Sequence, residues 1–322
     1  MTSITHSRVL RIALGLVGFD LLYVLVGHMG ANYQRLATLS AVYGILVLSL
    51  VVLTGFVGQI SFVQAELAGF GGLTAGALVA NSGWNFWIAL PMAVAASVAV
   101  GVVVGLPTLR LQGLILGVVT IALALGFDNY VFTLGPFGEA TFIKRPSLLG
   151  WDLTDDKATF VFCLACLVGC CWLVANLQRS KTGRTLAAIR DAEVAARTSG
   201  IDVTRYKLLA FGISAGLAGL AGVLLDLTIG VADRQSYGLL LSINFAAVVI
   251  LMGPNFVAAA FLGGVFLAWG GEALDKLPLL KPEYFNVVLG GGLIVQLILA
   301  PDGVVSQMRH TAERIRGLVV RT

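Results

Sequence analysis

The sequence predicts an all-α, polytopic membrane protein, and three features of its composition support that fold class. Hydrophobic residues make up 58% of the 322 residues and charged residues only 12%, about half the charged share of a soluble globular domain. The mean hydropathy is +0.92, and a soluble chain of this size would leave too much apolar side chain in water. Glycine is abundant, with 39 residues, and proline is scarce, with 8, which favours closely packed transmembrane helices.

The same composition excludes several other classes of protein. The net charge of +4 comes from few charged residues and offers no broad basic face for nucleic acid. The apolar content is too high for a disordered chain. Four cysteines in 322 residues are too few for a small disulfide scaffold. The apolar runs are long and do not alternate with polar residues, so helices are favoured over barrel strands.

Runs without charge divide the chain into about ten membrane segments, since one bilayer crossing takes about 20 residues. The runs from Leu67 to Leu109 and from Gln235 to Gly271 each hold two segments, with turns at 81–83 and 253–255. Some segments are short, so we expect about 8–10 transmembrane helices, the first of them an uncleaved anchor. The predicted segments are 11–27, 36–57, 60–80, 84–106, 111–134, 158–178, 207–229, 237–252, 255–271 and 284–300.

The segment 60–80 is the best candidate for a re-entrant or broken helix, because it is rich in glycine and contains Glu66. Such backbone at membrane depth needs protein or a water-filled cavity beside it. We predict a polar translocation path here, lined by Gly58, Gln59, Ser61, Gln64 and Glu66. Asp128 and Asp226 also fall in or near apolar spans, where a carboxylate is a functional candidate by default. We favour interfacial positions for these two residues.

The distribution of Lys and Arg predicts the orientation of the chain. If the N-terminus is inside and ten segments alternate, the inner side carries twice as many Lys and Arg residues as the outer side. This bias predicts an N-in, C-in topology. The whole chain, 1–322, is then one integral membrane domain with a basic cytoplasmic loop at 179–206. The outer loop 135–157 either contacts a binding protein or is simply solvated.

The basic loop contains a helical pattern near 186–199, rich in alanine, and Gly200 is a natural helix stop. From spacing alone, this helix either lies on anionic lipid headgroups or docks a soluble partner.

Metal and nucleotide sites are not predicted. Cys163, Cys166, Cys170 and Cys171 lie in one span, where they serve as small core residues. The three His residues are scattered, and the chain has no Gly-x-x-x-x-Gly-Lys-Ser/Thr loop. We therefore expect no metal and no cofactor bound by this chain.

The loop carries the clearest family resemblance. Its residues read GRTLAAIRD at 183–191, EVAAR at 193–197 and GIDV at 200–203. This pattern resembles the cytoplasmic loop of the permeases of branched-chain amino acid ABC importers. Stretches at 43–50, 55–61, 110–113, 207–222 and 300–303 are similar to that family in the same order. The chain departs from it at Val51 and at Val63-Gln64, where the family usually has Asn and Gly-His.

The resemblance implies that the chain is the translocation subunit of an importer that works by ATP-coupled alternating access. It implies two cytoplasmic ATPase subunits that bind the ATP and Mg, a second related permease, and an extracytoplasmic solute-binding protein, all at a bacterial inner membrane. Branched-chain amino acids are the expected solute, although related members serve urea, amides or aromatic acids. The implied ATPase-coupling residues are Arg184, Ile189, Arg190, Asp191, Glu193, Ala195, Ala196, Arg197 and Gly200.

Two other functions remain open at the level of the residues. Intramembrane carboxylates would also suit a secondary transporter or channel driven by an ion gradient. An intramembrane enzyme would need polar residues that converge within the spans, and Glu66, Asp128 and His28 do not converge in the predicted topology.

Overall fold

The computed structural model describes residues 30–109, 111, 113–143, 145–148, 151–253, 258–276 and 284–299. Over these residues the chain is a bundle of α-helices, which confirms the predicted all-α membrane fold. The predicted first span, the turn at Pro254-Asn255 and the stretch 300–303 lie outside the described residues.

The helices follow the predicted segments closely in the described part of the chain. Helix α1 ends in a π-helical turn, Val52–Val57, and a non-helical stretch, 58–63, then leads to α2. The bounds are α1 Ala31–Val51, α2 Gln64–Ala80, α3 Phe86–Thr108, α4 Gly113–Asn129, α5 Asp156–Arg179, α6 Lys181–Asp191, α7 Glu193–Thr198, α8 Val203–Ile229, α9 Leu239–Met252, α10 Ala258–Asp275 and α11 Phe285–Leu299.

Among the described residues, six helical segments are long and apolar enough to cross a membrane: Ala31–Val57, Phe86–Thr108, Gly113–Thr133, Asp156–Arg179, Val203–Ile229 and Arg234–Met252. Helices α2, α10 and α11 pack among them. The apolar windows of α1 and α8 are 78% buried, against 22% for α4. Helices α1 and α8 therefore form the centre of the bundle, and α4 lies at its periphery.

The glycines of the segment 60–80 do not break the helix. They lie in the continuous helix α2, where they allow close contact with α8. A Cβ at Gly71 would lie 2.6 Å from the Cα of Gly219, and a Cβ at Gly222 would collide with the backbone of Ala68. The break in the backbone falls earlier, at 58–63.

The end of the bundle opposite to the basic loop carries short β-ladders that the sequence did not predict. Thr141–Phe142 (β1) pairs antiparallel with Val231–Ala232 (β4), and Ser147–Leu148 (β2) pairs with Trp151–Asp152 (β3). Arg145 donates to the Asp156 carboxylate at 2.7 Å and to the Thr228 carbonyl at 3.0 Å. The loop 135–157 is therefore tied to the bundle at Arg145, while Phe142 and residues 138–140 are exposed.

Candidate functional site

The basic loop folds as two short helices, whereas the sequence predicted one. Helix α6 begins at an N-cap, Ser180, whose hydroxyl accepts from the N–H of Gly183 at 3.1 Å. It ends at Ala192, where φ is −155° and ψ is 83°. Helix α7 follows at once and stops before Gly200, whose φ of +82° confirms the predicted helix stop.

A small apolar core holds the two loop helices to the start of α8. Ile189, Ala196 and Val203 are buried together, with Ile201 and Tyr206 packed against them. Ile189 and Ala196 were predicted as ATPase-coupling residues. Because their side chains are buried in this chain, they shape the loop and leave outward contacts to other residues.

Glu193 links α7 to α8 through an ion pair. Its carboxylate accepts from Lys207 Nζ at 2.8 Å and from Arg197 at 2.7 Å. The Lys207 side chain is only 3% exposed, so its charge needs this partner. Burial raises the pKa of Glu193, but hydrogen bonds and charges from Lys207 and Arg197 outweigh it and lower the pKa below 4.5.

Arg190 links α6 to the end of α1. Its Nη1 donates to the carbonyl of Gly55 at 2.6 Å, and its Nε donates to Asp191 at 3.0 Å. Gly58 directly follows the π-helical turn with a φ of +74°, and a Cβ there would lie 2.9 Å from Arg190 Cγ. The loop therefore contacts two central helices, α1 through Arg190 and α8 through Glu193.

A cleft of about 750 Å³ lies between the loop helices, the end of α1 and the start of α4. Val194 stands beside it with 78% of its surface exposed, and Ala195 is also exposed. The residues that line the cleft are Val57, Gly58, Gln59, Gly113, Ile189, Arg190, Ala192, Glu193, Val194, Ala195 and Lys207.

Five of these cleft residues were not among the predicted site residues: Val57, Gly113, Ala192, Val194 and Lys207. Val194 is detectable in the sequence as an apolar residue beside Glu193 and Arg197. Lys207 gave no such signal, because its burial depends on the way α7 folds back onto α8.

The remaining predicted coupling residues lie at the surface of the loop. Arg184 donates to the carbonyl of Arg179 at 3.1 Å. The side chains of Asp191 and Arg197 are 67% and 61% exposed. These three residues are accessible to a partner at this end of the bundle.

The predicted path residues divide into two groups. Gly58 and Gln59 line the cleft, whereas Gln64 and Glu66 are fully buried in α2. Gln64 bonds to Ser49 Oγ at 3.2 Å and donates to Ser214 Oγ at 3.1 Å, so it joins α1, α2 and α8.

Glu66 joins α2 to α9. Its carboxylate accepts from the Ser242 hydroxyl at 2.8 Å, and that hydroxyl oxygen accepts from the N–H of Ala65, also at 2.8 Å. The other Glu66 oxygen, the Ser61 hydroxyl and the Gln59 amide are buried without a hydrogen-bond partner among the described residues. Buried polar groups of this kind are expensive unless water or a ligand reaches them in some state of the protein.

The two other intramembrane carboxylates differ from each other. Asp128 is partly exposed at the end of α4, and its carboxylate accepts from the N–H of Leu239 at 3.4 Å. Asp226 lies close to the end of α8 at Ile229 and is fully buried inside the protein. Tyr237 donates to the Asp226 carboxylate at 2.7 Å, which means that the chain itself covers this group.

The cysteines of α5 are free thiols. Within the described ranges, no group of three His, Cys, Asp or Glu residues is placed to hold a metal ion.

The fold and the loop define a multi-pass helical membrane protein with a structured connection at one end of the bundle. The profile of the family described as branched-chain amino acid transport system / permease component matches residues 32–297. The chain therefore belongs to this family of transport permeases.

Individual relatives support the same membership. The high-affinity branched-chain amino acid transport system permease protein LivM of Salmonella typhimurium is 31% identical, over 85% of this chain and 70% of that protein. The permease protein LivH of Escherichia coli is 25% identical, over 84% and 93% of the two chains. The autoinducer 2 import system permease protein LsrC of Escherichia coli is 27% identical, over 93% and 88%.

Proposed function

We propose that this chain is the transmembrane permease subunit of an ABC importer in a bacterial inner membrane. Residues 1–322 form one integral domain that moves a small polar solute inward. The observation that carries this proposal is the basic loop, which is folded, contacts both central helices and presents Val194 and Ala195 outward. Membership of a permease family supports it.

The mechanism we propose is alternating access driven by partner subunits. Two cytoplasmic ATPases bind the ATP and Mg, and their closure moves the loop helices, which in turn re-pack α1 and α8. Such a mechanism needs two nearly balanced states whose equilibrium ATP binding shifts. The outward contacts to the ATPase are Arg184, Asp191, Val194, Ala195 and Arg197, while Ile189, Arg190, Glu193, Ala196 and Gly200 hold the loop in shape.

The solute we propose is a branched-chain amino acid. Relatives of this chain carry that solute in their names, although LsrC is named for import of autoinducer 2. A second related permease and an extracytoplasmic solute-binding protein complete the system. We assign Gly58, Gln59, Ser61, Gln64 and Glu66 to the translocation path, because three of them have buried polar atoms without partners.

The test is recovery of the ATPase with the tagged permease from its own membrane in mild detergent. Val194→Glu places a carboxylate in the proposed apolar contact, which costs at least ~1–3 kcal/mol and lowers recovery about tenfold. Thr204→Glu is the matched control, because Thr204 is exposed at the start of α8 and does not line the cleft.

Wild type and Thr204→Glu should recover equal amounts of ATPase. Recovery of no ATPase with the wild type under several gentle conditions would overturn the importer proposal. Uptake driven by an ion gradient in those membranes would then support a secondary transporter, with the buried Glu66 as the first residue to change.

A further inference from the structure

The last turn of α1 leaves a backbone carbonyl that the helix itself does not use. In the π-helical turn Val52–Val57, the N–H groups of both Gly58 and Gln59 bond to the carbonyl of Leu53. The carbonyl of Gly55 lies closer to the helix end, where backbone acceptors lack intrahelical donors and the helix dipole is negative. A cation with an N–H donor is the partner that suits this position.

Arg190 supplies that cation from the loop. Its guanidinium bonds to the Gly55 carbonyl at 2.6 Å, across 135 residues of sequence. Its aliphatic stem lies over Gly58, where a Cβ would come within 2.9 Å of Arg190 Cγ. The glycine therefore serves two needs, a φ of +74° and room for the arginine.

The end of α1 is connected to the polar residues at the centre of the bundle. Ser49, less than two turns before Gly55, accepts on its carbonyl from the Ser214 hydroxyl of α8 at 2.7 Å. The Ser49 hydroxyl donates to the side-chain oxygen of Gln64 in α2 at 3.2 Å. The π-helical turn is therefore close in sequence to the point where α1, α2 and α8 are joined by hydrogen bonds, so a change in the turn would act next to that point.

We propose that the π-helical turn Val52–Val57 is the element that responds to movement of the loop, and that Arg190 is the positioning residue joining the two. This inference rests on the proposed function, because it requires an ATPase that moves the loop. π-Helical turns hold one extra residue and often mark functional positions. Movement of α6 would pull on or release the Gly55 carbonyl and let the turn change its winding.

The experiment measures hydrogen–deuterium exchange over residues 52–57, with and without the ATPase. Arg190→Met keeps the stem over Gly58 but removes the donor. Without the ATPase, we expect exchange over 52–57 to be about tenfold faster in Arg190→Met than in the wild type, because a charge-assisted hydrogen bond is lost. Arg205→Met is the matched control, since Arg205 is 86% exposed and forms a local ion pair with Asp202.

In the complex, ATP with vanadate should change exchange over 52–57 for the wild type and Arg205→Met, but not for Arg190→Met. ATPase recovery is measured in parallel, and exchange is compared only between complexes with equal bound ATPase, which separates positioning from docking. The inference would be overturned if, without the ATPase, exchange over 52–57 were the same in Arg190→Met as in the wild type. An equal response to ATP in all three complexes would also overturn it. Absence of any ATPase with the wild type would instead overturn the proposed function on which it rests.

Discussion

At the scale of single residues, the contact between α2 and α8 depends on glycines that leave no space for a side chain. A Cβ at Gly222 would collide with the backbone of Ala68, and a Cβ at Gly72 would collide with the Asp226 carboxylate. Backbone cannot move aside as the end of a flexible side chain can. Close approach of helices through small residues is the usual means of helix association in membranes.

We predict that Gly222→Ala destabilises the protein by about 1–3 kcal/mol or more, because the two helices must separate. The apparent Tm in detergent should fall by roughly 5 °C or more. Gly169→Ala is the control, because Gly169 lies in α5 with no atom within 4 Å of its would-be Cβ. That variant should be neutral or slightly more stable. An equal apparent Tm for the two variants would contradict the predicted collision between a Cβ at position 222 and the backbone of Ala68.

The side chains that matter most at this scale were only partly visible in the sequence. Glu66 and Gln64 stood out as polar residues in an apolar run, and the structure places both inside the bundle. The burial of Asp226 was not predictable, because nothing in its local sequence shows that Tyr237 turns back to cover it. The contact between Arg190 and Gly55 spans 135 residues, and a local pattern carries no record of such a pairing.

At the scale of elements, the basic loop owes its shape to pairing between α7 and α8. The folded loop favours the ionised form of Glu193 over the protonated form, since the net effect of its surroundings lowers its pKa. Its contribution to stability is therefore present above the ordinary pKa of 4.5 and is lost as the pH falls through the lower folded value.

We predict that the loop loosens below pH 4.5 in the wild type. Pepsin, which works in this range, should cleave within 181–206 more readily as the pH decreases from 5 towards 2. The side chain in Glu193→Gln cannot ionise, so pepsin should cleave this variant fast at every pH in the range. The ratio of its cleavage rate to that of the wild type should therefore approach one at the acid end. A ratio that does not change with pH would show that this carboxylate does not hold the loop.

The bounds of the elements were predictable wherever a long apolar run ended in charge, since lipid imposes that pattern. The predicted segments 158–178 and 207–229 agree with α5 and α8 within a few residues. The π-helical turn and the break at Ala192 were not predictable. Both depend on contacts with other elements, and neither residue stretch contains a proline or a cluster of turn residues.

At the scale of the whole molecule, the two ends of the bundle differ in chemistry. One end carries the basic loop with its cleft. The other carries the β-ladders and the Arg145–Asp156 ion pair. The excess of Lys and Arg at the loop end predicts that this end faces the cytoplasm.

This orientation is testable with a membrane-impermeant thiol reagent in a background in which the four cysteines are replaced. Phe142→Cys should react in intact cells, because Phe142 is 80% exposed at the ladder end. Thr204→Cys should react only after the membrane is opened, because Thr204 is exposed at the loop end. The reverse order of labelling would show the opposite topology, with the loop on the outer side, where a cytoplasmic ATPase cannot contact it.

The central position of α1 has a consequence for biosynthesis. The Ser40 hydroxyl of α1 accepts from the indole N–H of Trp269 in α10, a partner 229 residues later in the chain. At 5–20 residues per second, a ribosome takes roughly 10–50 s to make the intervening chain. During that interval the nascent helix must wait in lipid or against the insertion machinery without its final neighbours. A chain that stops before α10 would leave this hydroxyl without its indole partner, so the helix made early depends on one of the last to be made.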